Sequence, residues 1–390
     1  MSHQARIDHL LSEAAKRGDI PGVAAMVTSS ERTLYEGAFG VCSLARSEPM
    51  TVDTVVGIAS MTKAITSSAA LQLVERGLLE LDAPASAVVP ALGQVRVLTG
   101  FDAAGQPQTR APRRAITLRH LLTHSAGFSY ELWNADIKRY KDLMKIPGIE
   151  TRTNASINIP LISDPGERWE YGVNTDWAGK MVEAASGKPL GQYFQDHLLG
   201  PLGMSSTAYR PSEAMRAQMA AMHQRAEDGS LAPITGMGPP PPPDVDQGGG
   251  GLLSTARDYL KFTRMILNHG AGNGERVLRP ETVALMGMNH MGDCRVRMLK
   301  TAMPARSNDA EFFPGVPKTW SLAFQINLHA APTGRAVGSM SWAGLTNCYY
   351  WIDPMSNLAG VYMTQILPFA DAKSLPLFNA FESAVYSSLR

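Results

Sequence analysis

Cysteine is scarce in this chain, with three residues in 390, Cys42, Cys294 and Cys348. They are too scattered for a disulfide framework, and no C-x-x-C pair offers a zinc site, so they read as buried small hydrophobes. Charge of one sign is lacking too, because 36 Lys and Arg stand against 35 Asp and Glu. No basic run supplies the electrostatic footprint that nucleic acid or an anionic membrane surface needs, so neither is an expected partner. Long apolar runs are missing as well: no window approaches the ~18 consecutive residues of a spanning helix. The segment Met1 to Asp8 has Arg6 but no apolar stretch behind it. It therefore does not read as a secretory signal, and the expected location is cytoplasmic.

Several chemical signatures are also absent. There is no G-x-G-x-x-G, no G-x-x-x-x-G-K-[ST] and no H-E-x-x-H, which removes support for dinucleotide, phosphate-loop and zincin chemistry. The G-x-S-x-G elbow of an α/β-hydrolase is missing too. His120 and His124 have the i, i+4 spacing that can present two imidazoles to a metal, but no third ligand stands nearby, so they are expected to cap a helix or pack in a core. No fixed repeat points to a solenoid or propeller.

What remains is a globular composition, 44% hydrophobic and 18% charged, over a length that allows one large domain or two to three smaller ones. Ile7, Leu10, Leu11, Ala14 and Ala15 recur at helical spacing, and Gly18 ends that helix. Val23 to Thr28 and Thr33 to Val41 read as a hairpin. Ser60 to Gly77 reads as a buried helix, apolar on nearly every side. Helical patterns dominate from Leu78 to Tyr209: Thr117 to Thr123, Trp177 to Ala185 and Leu190 to Leu199. The Gly- and Pro-rich stretch from Gly236 to Gly251 is either a linker or an ordered loop at a site rim. It leads into an N-cap signature, Ser254-Thr255, that opens a helix to about Asn268. Strand-like runs return at Trp320–Leu328, Arg335–Trp342, Cys348–Asp353 and Ala359–Gln365, before a helix over 372–389. The expectation is an α+β fold in which residues 1–78 and 220–390 form one discontinuous α/β region and 79–219 a mostly helical one.

Three segments carry chemistry. In Ser60-Met61-Thr62-Lys63 a hydroxyl opens the apolar helix and an amine follows one turn later on the same face. Burial favours the neutral amine, which can then serve as the base that a weak hydroxyl nucleophile needs. Ser60 also sits at a helix N-terminus, where backbone N–H groups can meet a developing oxyanion. The second segment, Glu170-Tyr171-Gly172-Val173-Asn174, puts a phenol on a loop before a helix that Asn174 or Thr175 would cap. Tyr171 there either relays a proton or packs its ring. The third, Ser339 to Gly344, ends a strand-like run with small residues after a bulky indole, which lets a ligand approach the backbone near Gly344 and Leu345.

In this order the three segments resemble the serine β-lactamase and penicillin-recognising fold, nearest to its esterase branch, the family VIII carboxylesterases with class C β-lactamase-like architecture. The run Leu118 to Gly127, the run Gly248 to Ala256 and Asp353-Pro354 resemble that family's recurring segments. The resemblance implies an antiparallel sheet flanked by helices. It makes Ser60 the nucleophile, Lys63 and Tyr171 the proton-transfer pair, and the backbone N–H groups of Ser60 and Leu345 the oxyanion hole, with no metal or organic cofactor. Two positions depart from the lactamases: Asn174 stands one place too late for their Tyr-x-Asn, and Trp342-Ala343-Gly344 replaces Lys-Thr-Gly. Losing that cation favours short, uncharged esters over anionic β-lactams, unless Arg335 on the same strand supplies a substitute. Trp342, Ala343, Gly344, Tyr130 and Trp133 are the candidate substrate contacts, and Phe128 and Met340 are further pocket candidates. A β-lactamase, a D-aminoacyl peptidase, an acyltransferase and a non-catalytic binding protein are the alternative readings.

Overall fold

The computed structural model describes residues 3–234 and 245–387. Most of the Gly- and Pro-rich stretch, Gly236 to Pro243, lies outside the described residues. An eight-stranded antiparallel sheet runs in the order Lys318–Trp320, Gln325–Asn327, Met340–Gly344, Cys348–Asp353, Leu358–Met363, Gly22–Thr28, Thr33–Ser43, Arg46–Pro49. It is therefore assembled from both ends of the chain, as the α+β reading expects. The join is the pairing of Gly22–Thr28 with Leu358–Met363, in register from Ala24 opposite Met363 to Thr28 opposite Ala359.

The four central strands are buried at nearly every residue because both faces are covered. Alternation along Cys348–Asp353 assigns the faces. Tyr349 and Trp351 pack on Phe378 and Phe381 of the C-terminal helix Ser374–Ser387. Tyr350 points the other way, onto Tyr259 of the helix Ala256–Leu267. The helix His3–Lys16 lies beside the C-terminal one and buries Ile7, Leu11 and Ala14.

Two expected strands are shorter than read. Trp320 to Leu328 breaks into two, because the Ser321 hydroxyl accepts from the N–H groups of Ala323 and Phe324 and closes a tight turn. Of the run Arg335–Trp342 only the last three residues are strand, in Met340–Gly344, so Arg335 precedes it. The region 79–219 also holds a hairpin that the helical reading missed, Val97–Phe101 with Pro107–Arg110. Its turn is set by the Asp102 carboxylate, which accepts from the N–H groups of Ala104 and Gln106. Among the described residues, no helix is long and apolar enough to cross a membrane.

Candidate active site

The helix Thr62–Glu75 is preceded by a single 3₁₀ turn, Ala59–Met61, that carries Ser60. Ala59 has φ 43°, a left-handed conformation that costs a residue with a Cβ of the order of 1 kcal/mol. The strand Met340–Gly344 presses against this turn. A Cβ on Gly344 would lie 2.3 Å from the Ile58 carbonyl oxygen, so glycine is what allows the strand end and the serine turn to touch.

One turn after Ser60, Lys63 is 2% exposed. Its Nζ donates to Ser60 Oγ at 3.1 Å, to the Tyr130 hydroxyl at 3.1 Å and to the Gly249 carbonyl at 2.6 Å. None of these acceptors is a carboxylate. Burial disfavours the ammonium and pulls the Lys63 pKa down to about 7, with the negative charge of Asp176 opposing.

Two phenols divide the space around this pair. The Tyr171 hydroxyl accepts from the Trp342 indole N–H at 2.9 Å and hydrogen-bonds Ser60, while its ring lies 4.8 Å from Lys63 Nζ. The Tyr130 hydroxyl is the one bonded directly to Lys63. Burial raises the pKa of both phenols, so both hold their protons at rest. Behind Tyr171 an aromatic wall fixes its ring: Trp342 at 4.9 Å, His124 at 4.8 Å and Trp133 at 5.4 Å between centroids.

A cavity of about 290 Å³ opens beside Ser60. Tyr130, Leu132, Trp133, Ile149, Met222 and Leu345 provide most of its apolar wall, and the loop Gly249–Gly251 forms its rim. Ser60, Leu345, Tyr130 and Trp133 thus come together there. Trp342, Ala343 and Gly344 lie behind, buried in the sheet. Phe128 is buried against Trp177, and Met340 is buried in the sheet, so neither lines the cavity.

Asn174 does not cap the helix Asn174–Ser186 but begins it. Its amide instead donates to the Phe128 and Glu170 carbonyls and meets His124 Nδ1, tying the Tyr171 loop to its neighbours. His120 closes a capping box with Thr117, and His124 is buried, which suits the structural reading of both. Among the described residues no cluster of His, Cys, Asp or Glu is arranged to hold a metal. Arg335 forks onto Glu382 and cannot offer its charge to the cavity.

Four residues at the site were not singled out from the sequence. Asp176, buried on the first turn of its helix, accepts from the Gly249 N–H at 2.9 Å and from the Tyr130 hydroxyl at 3.3 Å. Gly249 belongs to the glycine run read as a linker or a site-rim loop and as a recurring family segment, without a role for this residue. A Cβ there would stand 2.3 Å from an Asp176 carboxylate oxygen. Arg152 and Arg306 line the cavity, and among the described residues neither guanidinium has an ion-pair partner. An acid on a first helical turn is a common dipole partner, and single arginines carry no spacing, so sequence alone had little to flag.

Such a fold, with a serine and a lysine one turn apart at the head of a buried helix, defines a serine acyl-transfer architecture. Comparison with known proteins agrees: the family described as Beta-lactamase matches residues 7–382, and the chain belongs to that family. It is 31% identical over 393 residues to the monacolin J acid methylbutanoyltransferase of Aspergillus terreus, covering 96% of this chain and 94% of the relative. It is 31% identical over 396 residues to the lovastatin esterase of Penicillium rubens, covering 97% and 98%. The unliganded selenomethionyl structure of simvastatin synthase (LovD) from Aspergillus terreus superposes with a TM-score of 0.86 at 28% identity, covering 100% of this chain and 99% of that one.

Proposed function

We propose that the protein is a serine ester hydrolase, a carboxylesterase acting on short, uncharged esters through an acyl-enzyme on Ser60. The observation that carries this reading is the 3.1 Å contact between Lys63 Nζ and Ser60 Oγ, with the amine held among neutral acceptors. Ser60 Oγ attacks the ester carbonyl while its proton passes to Lys63, and the carbonyl electron pair is received by the backbone N–H groups of Ser60 and Leu345. Tyr171, bonded to Ser60, works with Lys63 to return a proton to the departing alkoxide. Water then attacks the acyl-enzyme and repeats these steps in reverse order. A cavity of about 290 Å³ is at the small end of ligand pockets, which suits a short acyl chain.

An acyltransferase is the second reading, and two observations favour it. The similar proteins include an acyltransferase and an esterase by name. Moreover, Arg152 and Arg306, without an ion-pair partner among the described residues, bring positive charge to the cavity wall, where a hydroxylated acceptor bearing a carboxylate would find charge-assisted bonds.

Ser60→Ala tests both readings. With a nitrophenyl butyrate as donor, the variant should stay folded and lose about 10³-fold or more in turnover. A folded variant that keeps more than a tenth of the rate would assign the nucleophile elsewhere. Adding a hydroxy acid to the wild type then separates the two, because only a transferase diverts acyl groups from water to the acceptor. Nitrocefin turnover comparable to that of the ester would favour a β-lactamase instead.

A further inference from the structure

The mechanism above leaves unused a buried carboxylic acid beside the Ser60–Lys63 pair. Asp176 is 4% exposed and makes no ion pair among the described residues. Its two oxygens are nevertheless fully engaged: Oδ1 accepts from the Gly249 N–H and Oδ2 from the Tyr130 hydroxyl. Gly249 and Tyr130 are also the two groups, besides Ser60, to which Lys63 Nζ donates. The carboxylate and the amine therefore share both of their intermediaries without touching each other.

The backbone is built to hold this arrangement. Thr66, one turn beyond Lys63, donates to the Gly248 carbonyl at 2.7 Å. A Cβ on Gly248 would lie 2.3 Å from the Thr175 carbonyl oxygen. The glycine loop is thus pinned between the lysine helix and the helix that starts at Asn174. Asp176 on that helix's first turn also faces the helix N-terminus, which favours its ionised form. These donors suit an anion, while burial works against one.

We propose that Asp176 is the positioning residue of the Ser60–Lys63 pair: its fixed carboxylate balances the ammonium that forms when Lys63 takes the Ser60 proton. The step itself is the acylation already described and rests on that reading. As the Ser60 oxygen bonds to the ester carbon, its proton moves to the neutral amine, and one positive charge appears in a dry site. A negative charge one residue away through Gly249 and Tyr130 offsets it, much as a third group orients and balances the base in other nucleophile–base pairs.

Among the described residues no other negative charge is placed to do this. His124, packed on Tyr171, is held neutral by burial and by Lys63. Glu131, the residue after Tyr130, is taken by Lys141 at 2.6 Å. Tyr171 and Tyr209 are buried phenols that keep their protons. Glu150 and Arg152 line the cavity itself.

Asp176→Asn tests the proposal, since it keeps the size and the acceptor for Gly249 while removing the charge. With nitrophenyl butyrate and rates normalised to acylatable sites, the wild-type kcat/KM should rise with pH through about 7 as Lys63 loses its proton. The variant should lose about a hundredfold in kcat with KM within about threefold. Its acid limb should also move to lower pH by about one unit, because without the anion the amine is more readily neutral. A limb that stays in place, or a kcat near wild type, would overturn the proposal and make Asp176 a structural residue. Should Asp176→Asn not fold, Asp176→Glu decides: a wild-type limb with at least a tenth of the rate supports the proposal, and a displaced limb overturns it. Ser60→Ala, run alongside, keeps the two claims apart, because turnover surviving there defeats the nucleophile reading whatever Asp176→Asn does.

Discussion

Two cations are buried in this protein to the same depth, Lys63 and Arg335, each 2% exposed. Arg335 receives a complete counter-charge. Its guanidinium forks onto Glu382, with Nε 2.6 Å from Oε1, Thr333 adds a hydroxyl to the same carboxylate, and Phe313 covers the cation at 4.9 Å. Lys63 receives three neutral oxygens, and its acid stands one hydrogen bond further away. A buried charge that must only be tolerated is thus paired in contact, because desolvation is offset only by close and fully bonded ions. An amine that changes its charge, as the proposed acyl transfer requires of Lys63, is kept at a distance from its anion, where the neutral and charged forms are close in free energy.

That contrast can be broken or sharpened by substitution. Lys63→Met carries the largest expected effect: turnover of a neutral ester falls by about 10³-fold or more, equivalent to ~4 kcal/mol of barrier. Its denaturation midpoint should nevertheless move little, since losing the costly amine offsets the unmet Gly249 carbonyl. Arg335→Met should do the reverse. Stranding Glu382 in the core costs ~3 kcal/mol of stability, read as a lower urea midpoint, while activity per folded molecule stays near wild type. Equal losses of stability in the two variants would dissolve the comparison. The smallest effect belongs to Trp342→Phe. It removes the 2.9 Å bond to the Tyr171 hydroxyl, worth about 1 kcal/mol, so kcat should drop several-fold. Preference among acyl chain lengths should be unchanged, because Trp342 does not line the cavity. A changed chain-length profile would return the indole to a substrate-contacting role.

Much of this architecture is legible in the residues because local rules and tertiary demands coincide. The hairpin 22–43, the buried helix after Ser60 and the strand Cys348–Asp353 each have a pattern that only one element satisfies. The Ser60–Lys63 contact follows from helix geometry alone, which puts residues three apart on one face. The identity of the hydroxyl on Lys63 is different in kind. Tyr130 and Tyr171 are separated by 41 positions, and their ring centroids come to 5.5 Å only through the folding of the segment between them, which includes the helix Ala135–Met144. Periodicity does not encode such an approach. Asp176 was silent for the same reason: its partners are a backbone N–H and a distant phenol, neither of which leaves a spacing. Arg335 shows the converse error, since a strand-like run placed it on the strand while Glu382, far along the chain, held it elsewhere.

The seam in the middle of the sheet also sets the timetable of assembly. Gly22–Thr28 leaves the ribosome more than three hundred residues before its neighbour Leu358–Met363 is made, with Ala24 opposite Met363. Until then the early strand can pair only on its hairpin side, with Thr33–Ser43. Its other edge stays open, and pairings this distant in sequence form slowly. The turn bearing Ser60 leans on Gly344, from the same late segment. A nascent chain therefore carries Ser60 for more than 280 residues of synthesis before Gly344 is made to support its turn. During that interval its exposed edge is a natural client for chaperones.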